Sequence, residues 1–144
     1  MTKISTISMG LVSKKEAIVR QIHGAIEHLY KGEFECAVTL AGAAEGQSTS
    51  ESEEALFAQL KVRVPPEFTN EKEWINWINA AKHWLKHPTP ELGDELNIAE
   101  HDAVIMTLRA VSKFQWEHRQ STGQIEAFLD WCGERGYPSR PAKH

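Results

Sequence analysis

Apolar residues recur along the chain at steps of three and four, and the segments with this spacing alternate with short polar breaks. Such spacing places the apolar side chains on one face of an α-helix. The first segment starts at Ser13, which opens a capping-box pattern, and ends at about Lys31. An alanine-rich segment follows over residues 33–47. Because only a very short turn separates them, the two segments predict an antiparallel helical hairpin.

The rest of the chain predicts one weak and three strong helices. The weak helix covers residues 51–62, and the strong helices cover residues 70–87, 99–119 and 122–134. Asn70 is the expected cap of the first strong helix, and Ser121 or Thr122 that of the last. No alternating strand pattern is present except for a short edge strand at residues 3–9. We therefore expect an all-α fold: a single five- to six-helix up-down bundle, opening with the helical hairpin, in one domain over residues 1–144. Residues 1–12 and 137–144 are expected to be loose tails.

The helix over residues 99–119 is apolar around much of its circumference. A helix of this kind is usually central in a bundle or buried in a dimer. We take the second alternative as the expectation and predict a homodimer.

Composition narrows the class of protein further. The chain has 144 residues, which suits one domain, and its 16 Lys+Arg against 20 Asp+Glu give a net charge of -4. This balance argues against non-specific binding to duplex DNA. Cys36 and Cys132 are too few for a disulfide framework, which indicates a reducing compartment. No apolar run reaches the roughly 18–20 residues of a membrane span. We expect a cytoplasmic protein without membrane contact and without a cofactor.

The charge is unevenly distributed. Residues 33–60 and 88–102 are acidic, whereas the end of the helix between them is basic. We call Lys82, His83, Lys86 and His87 the basic helix end. The candidate binding residues are Lys82, Lys86, Asn79 and Trp84, and the candidate catalytic residues are His87 and His83.

Three interpretations of the basic helix end stay open. The first, which the pattern favours, is that its cations complement the negative end of the helix dipole. The second is a contact with nucleic acid or phosphate. The third is a metal site, because His83 and His87 are four residues apart and share one helix side. A third metal ligand would then come from the first helix, where His23, Glu27 and His28 are the candidates.

Glu45 ends the small apolar face of the second helix. Its carboxylate is either solvated at the helix end, which the pattern favours, or buried as the partner of a basic side chain. The sequence contains no phosphate-loop, dinucleotide-binding, CxxC or GxSxG motif. The motifs therefore indicate no enzyme class, and we lean towards a non-catalytic protein.

Two segments resemble a group of small bacterial all-α proteins that we associate with the HEPN superfamily. They are Ala-Val-Thr-Leu-Ala-Gly-Ala-Ala-Glu (37–45) and His-Trp-Leu-Lys-His (83–87). The resemblance implies a helical bundle that often dimerises, and either an RNase with an Arg-x(4–6)-His motif or a non-catalytic interaction module. Ile78 stands in place of Arg in one alignment, and His83 in place of Asn in the other. If the RNase chemistry operates, the resemblance implies His87 as general base, with Lys86 and His83 on phosphate oxygens.

Three functions follow as expectations. The leading one is a non-catalytic helical-bundle module that acts as a homodimer and binds a protein partner. The second is a HEPN-like binder or RNase directed at RNA or a nucleotide and centred on Lys86 and His87. The third is a metal-binding helical bundle.

Overall fold

The computed structural model describes residues 10–47 and 69–137, and all regular structure in these ranges is helical. The all-α prediction is confirmed. The predicted helix at 51–62 and the edge strand at 3–9 lie outside the described residues. Five α-helices and one 3₁₀ turn are present in the described part: α1 Lys14–Tyr30, α2 Phe34–Gly46, α3 Glu71–Lys86, the 3₁₀ turn Pro90–Leu92, α4 Glu100–His118 and α5 Gly123–Glu134.

The helix starts follow the predicted capping residues. Ser13, Asn70 and Thr122 each accept a hydrogen bond from the backbone N–H three residues further on, at 3.1, 2.9 and 3.1 Å. Side-chain caps of this kind satisfy backbone donors that the first helical turn leaves free. Gly32 follows α1 with φ 77°, a left-handed conformation that glycine adopts without steric cost. The local sequence therefore determines where α1, α3 and α5 begin and where α1 ends.

α1 and α2 form the predicted antiparallel hairpin. Lys14, at the start of α1, donates a hydrogen bond from Nζ to Oε1 of Gln47, just after α2, at 2.7 Å. The inner face of α2 consists of small residues that are fully or almost fully buried: Ala37, Ala41 and Ala44. Small side chains let neighbouring helices approach α2 closely.

α4 is buried on nearly all sides. Except for Trp116 near its end, its large and small apolar residues are at most 3% exposed: Ala103, Val104, Ile105, Met106, Leu108, Ala110, Val111 and Phe114. One chain therefore already covers the apolar surface from which we inferred a dimer. The homodimer stays a prediction, but the burial of α4 does not require it.

α5 returns to the start of α4. Arg135 donates hydrogen bonds from Nη2 to both carboxylate oxygens of Glu100, at 2.9 and 3.0 Å, and the Tyr137 hydroxyl donates to the same carboxylate at 2.7 Å. Tyr137 thus packs against the domain, although we placed it in the C-terminal tail. In the ranges that the structure covers, none of the helices combines the length and the apolar character that crossing a membrane requires.

Candidate anion-binding site

A cluster of buried charges joins α2, α3 and α4. Glu45, Arg109 and Lys113 are only 4%, 3% and 6% exposed. The Glu45 Oε1 atom accepts hydrogen bonds from Arg109 Nη2 at 2.8 Å and from Lys113 Nζ at 3.2 Å. Arg109 also donates from Nη1 to Oδ1 of Asn79 at 3.0 Å. We call Glu45, Arg109, Lys113 and Asn79 the buried ion cluster.

The buried ion cluster decides between the two interpretations of Glu45. The favoured one, solvation at the helix end, is wrong, because the carboxylate is the partner of two buried cations. A buried charge is tolerated only when it is paired and hydrogen-bonded. The Glu45 Oε2 atom is buried, and it accepts no hydrogen bond from any of the described residues. The cluster therefore joins α2 to α4 through one carboxylate oxygen, and α4 to α3 through Arg109 and Asn79.

Lys82 lies beside this cluster, with its aliphatic stem over Gly42. A Cβ atom on Gly42 would come within 2.6 Å of Lys82 Cδ and 2.9 Å of Cγ. Only glycine leaves room for the stem in this position. Lys82 is half-buried, and no side chain of the described residues forms a hydrogen bond or ion pair with its Nζ atom.

Positive charge is unfavourable at the Lys82 ammonium. Burial is the main cause that lowers the pKa of Lys82 below 10.5. The nearby Glu45 carboxylate raises the pKa, but the cations of Arg109, Lys86 and Lys113 lower it further. An anion bound beside the Lys82 ammonium would raise its pKa again, because it would place a negative charge next to the lysine.

The structure divides the sequence-predicted site residues into two groups. His83, Lys86 and His87 are exposed near the end of α3, and the rings of His83 and His87 are 4.7 Å apart. Asn79 instead turns to Arg109 in the buried ion cluster. Trp84 donates from Nε1 to the Gly93 carbonyl at 2.9 Å, so its indole is bonded to the segment that connects α3 with α4.

Residues 88–102, which we call the acidic connector, form no ion pairs with the two lysines of the basic helix end within the described part of the chain. The connector's Asp102 is buried, where Oδ1 accepts from Trp74 Nε1 at 3.1 Å and Oδ2 from the Ala99 N–H at 2.9 Å. In the described part of the chain, no connector carboxylate pairs with Lys82 or Lys86. The acidic segment thus stabilises the start of α4 without neutralising the basic helix end.

The metal candidates lie in different parts of the fold. His23 Nε2 is 2.8 Å from Thr122 Oγ1, where α1 meets the start of α5. Glu27 is exposed on α1. Over residues 10–47 and 69–137, no three His, Cys, Asp or Glu side chains are grouped so that they could hold a metal ion. His83 and His87 therefore have no third ligand within these ranges.

Periodicity does not reveal Arg109 and Lys113, because they lie in the mostly apolar middle of α4. A signal for them does exist in the sequence. Two cations four residues apart share a helix face, and on a buried helix they need a buried carboxylate. Glu45, a carboxylate on a small apolar face, is the residue that meets this need.

Comparisons of the chain with protein-family models, curated proteins and solved structures found no match. The resemblance to the HEPN superfamily stays a prediction.

Proposed function

We propose that the chain is a helical module that binds a phosphate-bearing ligand, RNA or a nucleotide, at the basic helix end. One observation carries the proposal. The Lys82 ammonium is half-buried, the nearby Glu45 carboxylate acts on it together with the cations of Arg109, Lys86 and Lys113, and no carboxylate of the described residues forms an ion pair with it. A phosphate group supplies the negative charge and the hydrogen-bond acceptors that this position lacks.

The buried ion cluster supports the proposal by holding Lys82 in place. Glu45 and Arg109 connect α2 and α4, and Arg109 reaches α3 through Asn79. The stem of Lys82 packs over Gly42 of α2, which restricts where the ammonium can turn. A restrained donor loses less conformational freedom on binding than a freely rotating lysine.

The exposed neighbours of Lys82 extend the site towards solvent. Lys86 offers a second ammonium, and His83 and His87 place two imidazole rings beside it. Four residues separate Lys82 from His87, a spacing that fits the Arg-x(4–6)-His motif with Lys in place of Arg. His87 is therefore the candidate general base if the bound ligand is also cleaved.

A homodimeric protein-interaction module is the second candidate function. Tyr30 and Trp116 favour it, because both are large aromatic side chains that are nearly half exposed. Exposed aromatic residues are enriched at protein interfaces. Light scattering of the purified protein distinguishes a dimer from a monomer. For either function we propose a cytoplasmic location, which agrees with the unpaired Cys36 and Cys132.

Binding of a fluorescently labelled single-stranded RNA of about 12 nucleotides tests the proposal by anisotropy. We expect Lys82→Met to weaken binding about tenfold, because it removes the partner of the phosphate. Lys31→Met is the matched control. Lys31 is an exposed lysine at the turn between α1 and α2, away from Gly42, where Lys82 packs. The Lys31→Met protein should bind the RNA as the wild type does. Equal binding by both variants would overturn the proposal.

Cleavage is tested separately. Gel analysis of the same RNA shows whether the wild type cleaves it and whether His87→Ala abolishes that cleavage.

A further inference from the structure

Trp116 and Arg119 form an exposed pair near the end of α4. Trp116 is 45% exposed, whereas Trp74 is almost completely buried. The Arg119 guanidinium carbon lies 4.5 Å from the centroid of the Trp116 ring. Arg119 itself is the helix C-cap in a left-handed conformation, with φ 54°. The pair thus presents a flat aromatic ring and a cation at the surface.

The position of Trp116 along α4 relates it to the proposed phosphate site. Arg109, Lys113 and Trp116 follow one another at steps of four and three residues, so they share one face of α4. Lys82 lies close enough to Arg109 and Lys113 for their charges to lower its pKa. Trp116 is one helical turn beyond Lys113, about 4.5 Å further along the axis. An aromatic ring therefore continues the face that runs past Lys82.

We infer that Trp116, with Arg119, is a stacking platform for a base of single-stranded nucleic acid. The inference rests on the proposed function, since Lys82 would hold a phosphate of the same strand. Base–aromatic stacking beside a cationic backbone contact is how many proteins bind single strands without reading their sequence. Trp84 is less exposed than Trp116, and its indole N–H donates to the Gly93 carbonyl.

The charge around Trp116 favours a nucleic acid over a second protein copy as its partner. Arg119, which is exposed, covers part of the ring, whereas Lys113 on the same helix face is buried and paired with Glu45. Cations beside an exposed ring suit a ligand that combines negative charge with flat aromatic groups. A nucleic acid strand has both features in every residue.

Two ligands of equal length and phosphate number separate stacking from phosphate binding. One is a single-stranded oligonucleotide, and the other is an abasic strand with the same backbone. We expect the wild type to bind the base-containing strand about tenfold more tightly. Trp116→Ala should lose this preference and bind the abasic strand unchanged, whereas Trp116→Phe should retain most of it. Lys82→Met should weaken binding of both strands.

Each contrary result has one meaning. If Trp116→Ala keeps the preference for bases, or weakens both strands equally, the stacking platform is overturned while the Lys82 site stands. If Lys82→Met binds both strands as the wild type does, the proposed function fails. If light scattering shows a dimer that Trp116→Ala converts to a monomer, the ring belongs to a subunit interface and the inference is overturned. Circular dichroism of each variant confirms that it is folded.

Discussion

Lys82 is the residue at which stability and function oppose each other. Glu45, Arg109 and Lys113 are more deeply buried, but each takes part in an ion pair. Lys82 has no such partner among the described residues, and burial disfavours its charge. Groups that destabilise a folded protein are common at binding sites, where the ligand later supplies the missing interaction.

Replacing Lys82 should therefore stabilise the protein. The folded-state pKa of Lys82 lies below 10.5, so the folded protein binds fewer protons than the unfolded chain as the pH approaches that value. The contribution of Lys82 to the free energy of unfolding is thus unfavourable at neutral pH and becomes less so as the pH rises towards 10.5. Lys82→Met should have a higher free energy of unfolding than the wild type at about pH 7, with a smaller difference at about pH 9.5.

Urea unfolding at the two pH values measures this difference, and Lys31→Met serves as control. The control should match the wild type at both pH values, because Lys31 is exposed. A Lys82→Met protein that is less stable than the wild type at neutral pH would contradict the assignment of an unfavourable charge to this position.

At the scale of residues, the sequence predicted the exposed part of the site better than its buried part. Lys82, His83, Lys86 and His87 stand out because they are close together in a chain with acidic neighbours on both sides. The buried ion cluster is formed by residues far apart in sequence. Glu45 and Arg109 are 64 positions apart, so only the tertiary packing of α2 on α4 brings them together.

At the scale of elements, the ends of the helices were predictable because they depend on neighbouring residues. Ser13 and Asn70 cap the helices that follow them, as their sequence contexts indicate. The role of α4 was not predictable in the same way. Its apolar circumference fits a central helix as well as a dimer interface, and only the packing of the other elements around it decides.

The contact between α2 and α3 leads to a prediction about Gly42. Gly42→Ala adds a methyl group that Lys82 must move to accommodate, since the Cβ would lie 2.6 Å from its Cδ. Alanine favours a helix over glycine by about 1 kcal/mol, which should offset much of the strain. We expect stability close to that of the wild type but RNA binding weakened several-fold, because the Lys82 ammonium is displaced.

Gly46→Ala is the matched control for this substitution. Gly46 is also in α2, and a Cβ there would meet no atom within 4 Å. It should leave RNA binding unchanged in the same anisotropy assay. If both alanine variants bind RNA equally well, Gly42 does not position Lys82.

At the scale of the whole molecule, the net charge of -4 is the sum of acidic and basic regions that are unevenly distributed along the chain. Two acidic stretches flank the basic helix end in sequence, so an anionic strand is repelled by these stretches and attracted by the cations between them. Added salt screens repulsion and attraction between exposed charges alike. Binding should therefore depend on a few local contacts and not on a general positive surface.

The dependence of RNA affinity on salt concentration, compared between the wild type and Lys82→Met, tests the central claim most directly. Each phosphate contact with a single strand contributes a slope of about 0.7 to the plot of log affinity against log salt. If Lys82 holds a phosphate, its replacement should reduce the magnitude of the wild-type slope by about 0.7, and the two affinities should converge at high salt. Identical slopes and affinities for the two proteins would contradict the claim that Lys82 binds phosphate.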